Sequence, residues 1–291
     1  MFKKIICTSI ATAIMASSSL AYAEKMTIGI QAPRGALKAK QKWTGIVDHL
    51  AAEMGVEFRV KPLSPSDTKK SASSGTSDYI IANPVLSAVI LRDTSNKHLA
   101  SLVKKSGDKF GGVILSKAGS GIKTLADVKG KKVMAFKVGK SAGAYVFQMY
   151  QLKEAGIAKT DLAKISEAKK QDDVVLAIKA GAADVGFVRT GVLENMAKEG
   201  KINISDFNII NKQESDFPQV LSTKLFPEWQ LLAVGKGNGM GISDKFKAKA
   251  LAITKDSAGA AKAKITGFKE PISLDELVKV LTDMKIKPFG Q

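Results

Sequence analysis

The sequence predicts an α/β fold with parallel-rich sheets and helices on both faces, and three observations carry that reading. Strand-like runs alternate along the chain with helical patterns of about 10–15 residues, the arrangement that buries parallel strands between helices. The turns at the carboxyl ends of several strands are polar, and in sheets of this kind ligands bind there. Once an N-terminal export segment is set aside, 268 of the 291 residues remain, enough for two ordinary lobes or one large α/β unit.

The export segment comes first. Lys3 and Lys4 form a basic start, an apolar stretch runs from Ile5 to Met15, and Ala21-Tyr22-Ala23 is an A-x-A cleavage site. Together they read as a secretory signal peptide cleaved after Ala23, too short to span a bilayer. The only cysteine, Cys7, lies inside it. The exported chain is then expected to have no disulfide, thiolate metal site or cysteine nucleophile. No later stretch reads as a transmembrane helix.

Strand and helix patterns then follow in turn. "MTIGIQ" (26–31) reads as a strand, and Trp43, Ile46, Val47, Leu50 and Met54 recur at helical spacing. "VEFRVKPL" and "DYIIAN" (78–83) are the next strands, the latter followed by Pro84, a favoured first helical residue. "FGGVILS" (110–116) and "KKVMAFK" (131–137) are strands separated by a turn that Thr124 and Asp127 cap. Residues 142–155 and 172–181 read as helices, the second ending at Gly181. "DVGFV" (184–188) is a strand, a helix capped by Thr190 runs to Gly200, "WQLLAVG" (229–235) is a strand, and the tail from Ser243 is mostly helical.

Charge points to anions. Without Lys3 and Lys4, 43 basic residues stand against 27 acidic ones, a net of +16. The lysines are scattered and the chain is exported, so nucleic acid is not the expected partner; a basic surface that draws in small anions is. Arginine is scarce: Arg34, Arg59, Arg92 and Arg189 stand against 41 lysines. A chain that uses lysine by default has room for specific bidentate recognition wherever it places an arginine. The two histidines, His49 and His98, are isolated, and no acidic cluster has metal-ligand spacing, so neither metal nor cofactor is expected.

"KVGKSAGAYVF" (137–147) admits three readings. A phosphate-cradling P-loop needs a glycine five residues before Gly139, and Met134 stands there. The nucleophile elbow G-x-S-x-G fits Gly139 to Gly143, but both histidines precede Ser141, the wrong order for that hydrolase triad. A helix start whose free amides and dipole attract an anion needs least. Ser141 adds a hydroxyl, while Ala142 and Gly143 let a ligand approach the backbone. The polar turns then nominate Arg34, Asn83, Ser141, Ala142, Gly143, Arg189 and Thr190 as ligand-binding residues, with Asn83 and Thr190 also open to reading as plain helix caps.

"IGIQAPRGALKAKQKW", "DYIIANP", "FGGVILSK…IKTLADVKGKKV", "GKSAGAY", "AGAADVGFVRTGVLE" and "STKLFPEW" resemble the phosphonate-binding-protein-like family of periplasmic binding proteins. The nearest branch is that of tetrathionate-responsive sensor-kinase input domains and of arsenate- and arsenite-binding accessory proteins. The resemblance implies a type II periplasmic binding fold: lobe one from 24–104 and 218–291, lobe two from 105–217, with two crossings near 101–109 and 213–222. It also implies a ligand role for Ser222 and Thr223 in "STKLFPEW". Relatives carry an acid where this chain has Arg189, which implies an anionic ligand rather than an aminoalkyl-phosphonate. The expected partner is a membrane-bound sensor histidine kinase, or else an ABC permease. The protein is expected to be a non-enzymatic monomer, with a hydrolase using Ser141 as the enzyme alternative.

Overall fold

The computed structural model describes residues 25–238 and 241–290; the signal-peptide reading of residues 1–23 lies outside them. The strands are β1 (Lys25–Gln31), β2 (Glu57–Leu63), β3 (Tyr79–Ala82), β4 (Lys97–Val103), β5 (Lys109–Phe110), β6 (Gly112–Lys117), β7 (Lys132–Phe136), β8 (Lys164–Ala168), β9 (Val185–Arg189), β10 (Phe207–Ile210), β11 (Phe226–Pro227), β12 (Gln230–Ala233) and β13 (Gly267–Lys269). Eleven of them form two sheets, ordered β13-β4-β12-β3-β1-β2 and β10-β6-β9-β7-β8, and β5 pairs separately with β11. Each sheet is the heart of one lobe.

The two sheets share one plan. In each, one strand pairs in parallel with two neighbours: β1 with β2 and β3, β7 with β8 and β9. Each sheet also takes in one antiparallel strand next to the hinge, β12 between β3 and β4, and β6 between β9 and β10. The hinge itself is the two-residue pair β5 and β11. Alternation in the sequence showed the parallel part of this plan. The antiparallel strands, and the unpredicted β4, β8, β10 and β13, depend on pairing partners far away in the chain.

Helices α1 (Ala36–Met54), α2 (Pro65–Ser73), α3 (Pro84–Ile90), α4 (Phe147–Glu154), α5 (Gln171–Ala180) and α6 (Val192–Lys198) cover the sheets, and three further helices (242–251, 260–263, 275–283) complete lobe one. Their ends follow local chemistry. Ser64 and Asn83 accept hydrogen bonds from Asp67 N and Leu86 N ahead of prolines at the first helical position. Gly55 and Gly181 close α1 and α5 in the left-handed conformation. Helix α1 buries Ala39, Trp43, Ile46, Val47, Leu50 and Met54 along one face.

The return crossing lies later than the segment 213–222. Ser222 N donates to Gly112 O, Val220 N to the Glu194 carboxylate and Gln213 N to Leu221 O, so this stretch hangs on lobe two until β11. The hinge is packed by aromatics: the Phe147 ring lies 4.3 Å from Phe226 and 5.4 Å from Phe110, centroid to centroid. A two-residue ladder alone would be weak. The ring cluster gives it a fixed axis.

One close crossing shapes lobe one. Gly45 in α1 meets Gly259, which has φ +81 and precedes helix 260–263; a Cβ on Gly259 would sit 2.3 Å from the Gly45 carbonyl carbon. Gly259→Ala is therefore expected to destabilise by about 2–4 kcal/mol, combining overpacking with a left-handed backbone. Gly45→Ala, whose nearest neighbour would be 3.1 Å away, should cost less. Urea denaturation checks both, and an unchanged midpoint for Gly259→Ala would contradict the crossing.

Candidate ligand-binding site

Between the lobes lies a chamber of about 620 Å³. Its lobe-one wall carries Lys38, Lys42 and Trp43 from α1, Lys104 beside the hinge, and Lys262 and Lys264 near helix 260–263; its lobe-two wall carries Gln171, Asp172, Arg189, Asn195 and Glu199. A second pocket of only about 30 Å³, water-sized, is lined by Asn83, Ser141, Ala142 and Gly143. Gln31, Gln171, Arg189 and Trp229 border both cavities.

The lobes meet around these cavities in a closed arrangement. Arg34 Nη2 reaches Asp172 Oδ2 at 2.6 Å, and its Nη1 lies 3.8 Å from Glu199. Asn83 Nδ2 donates to Lys140 O at 3.3 Å, Lys140 Nζ to Ser66 Oγ at 3.3 Å, and Lys264 Nζ to Asn195 Oδ1 at 3.3 Å. Arg34 therefore spends its fork on lobe two.

The centre of charge is a residue that the sequence did not single out. Glu228 directly follows the hinge strand β11 and is fully buried. Its carboxylate accepts from Lys104 Nζ at 3.0 Å and from Arg189 Nη2 at 2.9 Å. Arg189 also donates from Nε to Thr190 O at 3.3 Å and lies 4.4 Å from the Phe110 ring centroid. Its backbone N–H is held by Gln171 Oε1 at 2.8 Å. The guanidinium expected to offer a free fork is thus already pinned on one side, leaving Nη1 without a hydrogen-bond partner among the described residues.

Protonation follows from this crowding. Burial, then the positive charges of Lys104 and Arg189, hold the Lys42 ammonium down to about 7. Burial and Arg189 hold Lys104 down to about 8 against the pull of Glu228. Burial alone would raise the Glu228 carboxyl, but Lys104 and Arg189 outweigh it and keep it below the usual range. Lys42 makes no ion pair among the described residues and lies 4.8 Å from the centroid of the Trp43 ring.

The nominated residues divide accordingly. Arg34, Arg189 and Thr190 border the chamber, and Asn83, Ser141, Ala142 and Gly143 the small pocket. Ser222 and Thr223 border neither: their hydroxyls accept from Ile114 N and Gly112 N at 2.9 Å and tie the return crossing to β6. Thr190 is not a helix cap either. Gly191 is, with φ +84, and the Thr190 backbone N–H bonds Gly111 O.

The "GKSAG" segment opens with a wide turn (Ala142–Val146) in which Val146 N donates to Ser141 O at 3.0 Å, before α4 begins at Phe147. Gln148 holds that turn by donating to Gly143 O, Val188 O and Val113 O. Gly143 is needed for packing: a Cβ would lie 2.7 Å from Phe110 and 2.8 Å from Gly111 O. Its missing side chain admits the hinge. Lys140 Nζ bonds Ser66, so it is not placed as a base for Ser141, whose hydroxyl makes no hydrogen bond to the described residues. Among the described residues no group of three or more His, Asp or Glu is placed to hold a metal ion.

A clue to the missed residues was present. Glu228 is the penultimate residue of the conspicuous "STKLFPEW", and Lys42 adjoins Trp43 of the apolar helical series. Glu228→Gln keeps the shape but leaves Lys104 and Arg189 uncompensated, so it is expected to cost about 3–5 kcal/mol. Chemical denaturation checks it; a loss under about 1 kcal/mol, as for an exposed pair, would contradict the cluster.

Comparison with known proteins agrees with this architecture. Residues 29–276 match the family model for the periplasmic substrate-binding protein of phosphonate ABC transporters. The chain is 28% identical over 275 residues to the tetrathionate sensor histidine kinase TtrS of Salmonella typhimurium, covering 92% of this chain and 45% of that protein. It therefore spans less than half the length of this curated relative. Among solved structures, PhnD1 from Prochlorococcus marinus in complex with methylphosphonate has a TM-score of 0.74 at 13% identity, over 90% of this chain and 98% of that one. The binding protein component of an ABC phosphonate transporter from Pseudomonas aeruginosa has a TM-score of 0.71 at 12% identity, over 90% and 86%. At such identities the structures speak for the fold alone, which is the two-lobe type II periplasmic binding fold. The family match runs through both sheets and both passages of the hinge, and the chain belongs to the phosphonate-binding family of periplasmic substrate-binding proteins.

Proposed function

We propose that this protein closes its lobes over an oxyanion of phosphorus, arsenic or sulfur, such as phosphate, arsenate or a tetrathionate-like species, and presents the closed form to a membrane partner. One observation carries the reading. Each acid lining the chamber is already ion-paired, Asp172 with Arg34 and Glu199 with Lys201, and so is the buried Glu228 nearby, with Lys104 and Arg189. Lys42, meanwhile, has no counter-ion among the described residues. An anion supplies that counter-charge, whereas a ligand ammonium would find no free carboxylate.

The favoured partner is a sensor histidine kinase, because the chain shares 28% identity with a tetrathionate sensor kinase over 92% of its length. An ABC permease is the second reading, supported by the family's transporter members. The protein acts as a binder without turnover, metal or nucleic acid, and as a monomer; a Ser141 without a hydrogen-bonded base supports the first of these.

A thermal-shift screen of phosphate, arsenate, arsenite, sulfate, thiosulfate, tetrathionate and phosphonates tests the reading. A ligand at 100 times its Kd should stabilise the fold by about 2.7 kcal/mol. Silence from every anion would overturn the proposal. With the anion found, titration calorimetry of Arg189→Ala and Arg189→Lys should show losses of at least about 2 kcal/mol each, since an ammonium cannot replace the planar group.

The pH dependence has a definite sign. Lys42 attracts an anion only while it is charged, and a bound anion raises its pKa above the value near 7 of the free site. Affinity is then flat below pH 7 and falls above it by up to about tenfold per pH unit. Measured with an anion that does not itself titrate near pH 7, the fall between pH 7 and 8 should become shallower in Lys42→Met, leaving the part that Lys104, held down to about 8, contributes. Affinity that rises with pH in that window would contradict the assignment.

A further inference from the structure

The chamber is much larger than one tetrahedral oxyanion, and six of its eight cations, all but Arg34 and Lys105, stand in two tiers. Its volume of about 620 Å³ falls within the range of roughly 300–1,000 Å³ that suits molecules of drug size. A tetrahedral oxyanion fills little more than two waters would, about 60 Å³.

The inner tier is Lys42, Lys104 and Arg189, all part-buried against the hinge side. The outer tier is Lys38, Lys262 and Lys264, exposed but bordering the same chamber. Lys38 and Lys42 are four residues apart on α1, on one face and about 6 Å along its axis. The side-chain-free crossing of Gly45 and Gly259 sets helix 260–263 against α1, and so brings Lys262 and Lys264 to the wall that Lys38 and Lys42 form. Lys38 and Lys262 make no ion pair among the described residues, and Lys264 reaches only the Asn195 amide oxygen. The acids opposite are held by Arg34 and Lys201. Glu228 offsets one of the three inner charges, and no acid among the described residues pairs with the outer tier.

We propose that the chamber is built for an elongated anion with two charged groups about one helical turn apart, the inner on Lys42, Lys104 and Arg189 and the outer on Lys38, Lys262 and Lys264. The proposal rests on the reading of the cleft as an anion site and adds the shape and valence of the ligand.

Titration calorimetry with methanesulfonate and a series of alkane-α,ω-disulfonates from methane to hexane tests it, because sulfonates stay ionised while spacing alone changes. The expected result is a maximum at an intermediate spacer, at least about tenfold tighter than methanesulfonate. The double variant Lys262→Ser/Lys264→Ser should lower the affinity of the best disulfonate by about tenfold and leave methanesulfonate within about twofold. Equal affinity for mono- and disulfonates would overturn the proposal. So would equal weakening of both in the variant, which would mean that the outer lysines only steer anions inward. So would binding of a single-centred oxyanion from the screen, such as phosphate, arsenate or sulfate, with neither tetrathionate nor any disulfonate bound. If no anion of either set binds, the anion reading of the cleft itself fails.

Discussion

A carboxylate buried at a hinge needs its charge met, and much of the cleft is arranged around that requirement. Glu228 sits between Lys104, on the lobe-one side of the hinge, and Arg189, at the end of a lobe-two strand. Opening the lobes would pull Arg189 away and leave the carboxylate with a single partner. Such a group favours the arrangement in which both cations are near, because an uncompensated buried charge costs several kcal/mol. The same cluster crowds Lys42 and lowers its proton affinity. Hinge geometry and cleft chemistry are therefore one electrostatic problem, which the proposed anion would complete.

The backbone details serve the same end. The Gln148 amide nitrogen lies within hydrogen-bond distance of three carbonyls, from the wide turn at Ala142–Val146 and the neighbouring strands, and ties the turn to them, while its own Oε1 is buried without a partner among the described residues. Gly143 and Gly111 lack side chains where the turn, the Arg189 strand and the return crossing come closest. Gln31 and Gln171, one in each lobe, accept from Asn83 N and Arg189 N and fix the two strand-end turns that face each other across the cleft. These residues hold groups in place. The cations next to them are left to meet a ligand.

Much of the fold was legible in the sequence because its signals are local. Proline after Asn83, glycine after Met54 and Ala180, and the apolar series of α1 each act within a turn or two of chain. Strands β4 and β10 escaped notice because their identity depends on β12 and β6, which come from distant segments. Site residues divided along the same line. Arg34 and Arg189 stood out by residue type and position, and both border the chamber. Ser222 and Thr223 shared a conspicuous motif with Glu228, yet their hydroxyls went to backbone amides of β6, a use that composition does not reveal.

By itself the sequence determined the α/β class, the polar turns at strand ends, the excess of positive charge and the family resemblance, since all of these are written in residue type and short-range spacing. Only the tertiary structure decided which charges are spent and which are free. Arg34 is neutralised by Asp172 from a position 138 residues away, and Arg189 by Glu228 from 39 residues away, while Lys42 is left without a counter-ion among the described residues. Charge compensation depends on distance in space and on burial, and neither is a property of a residue's neighbours along the chain.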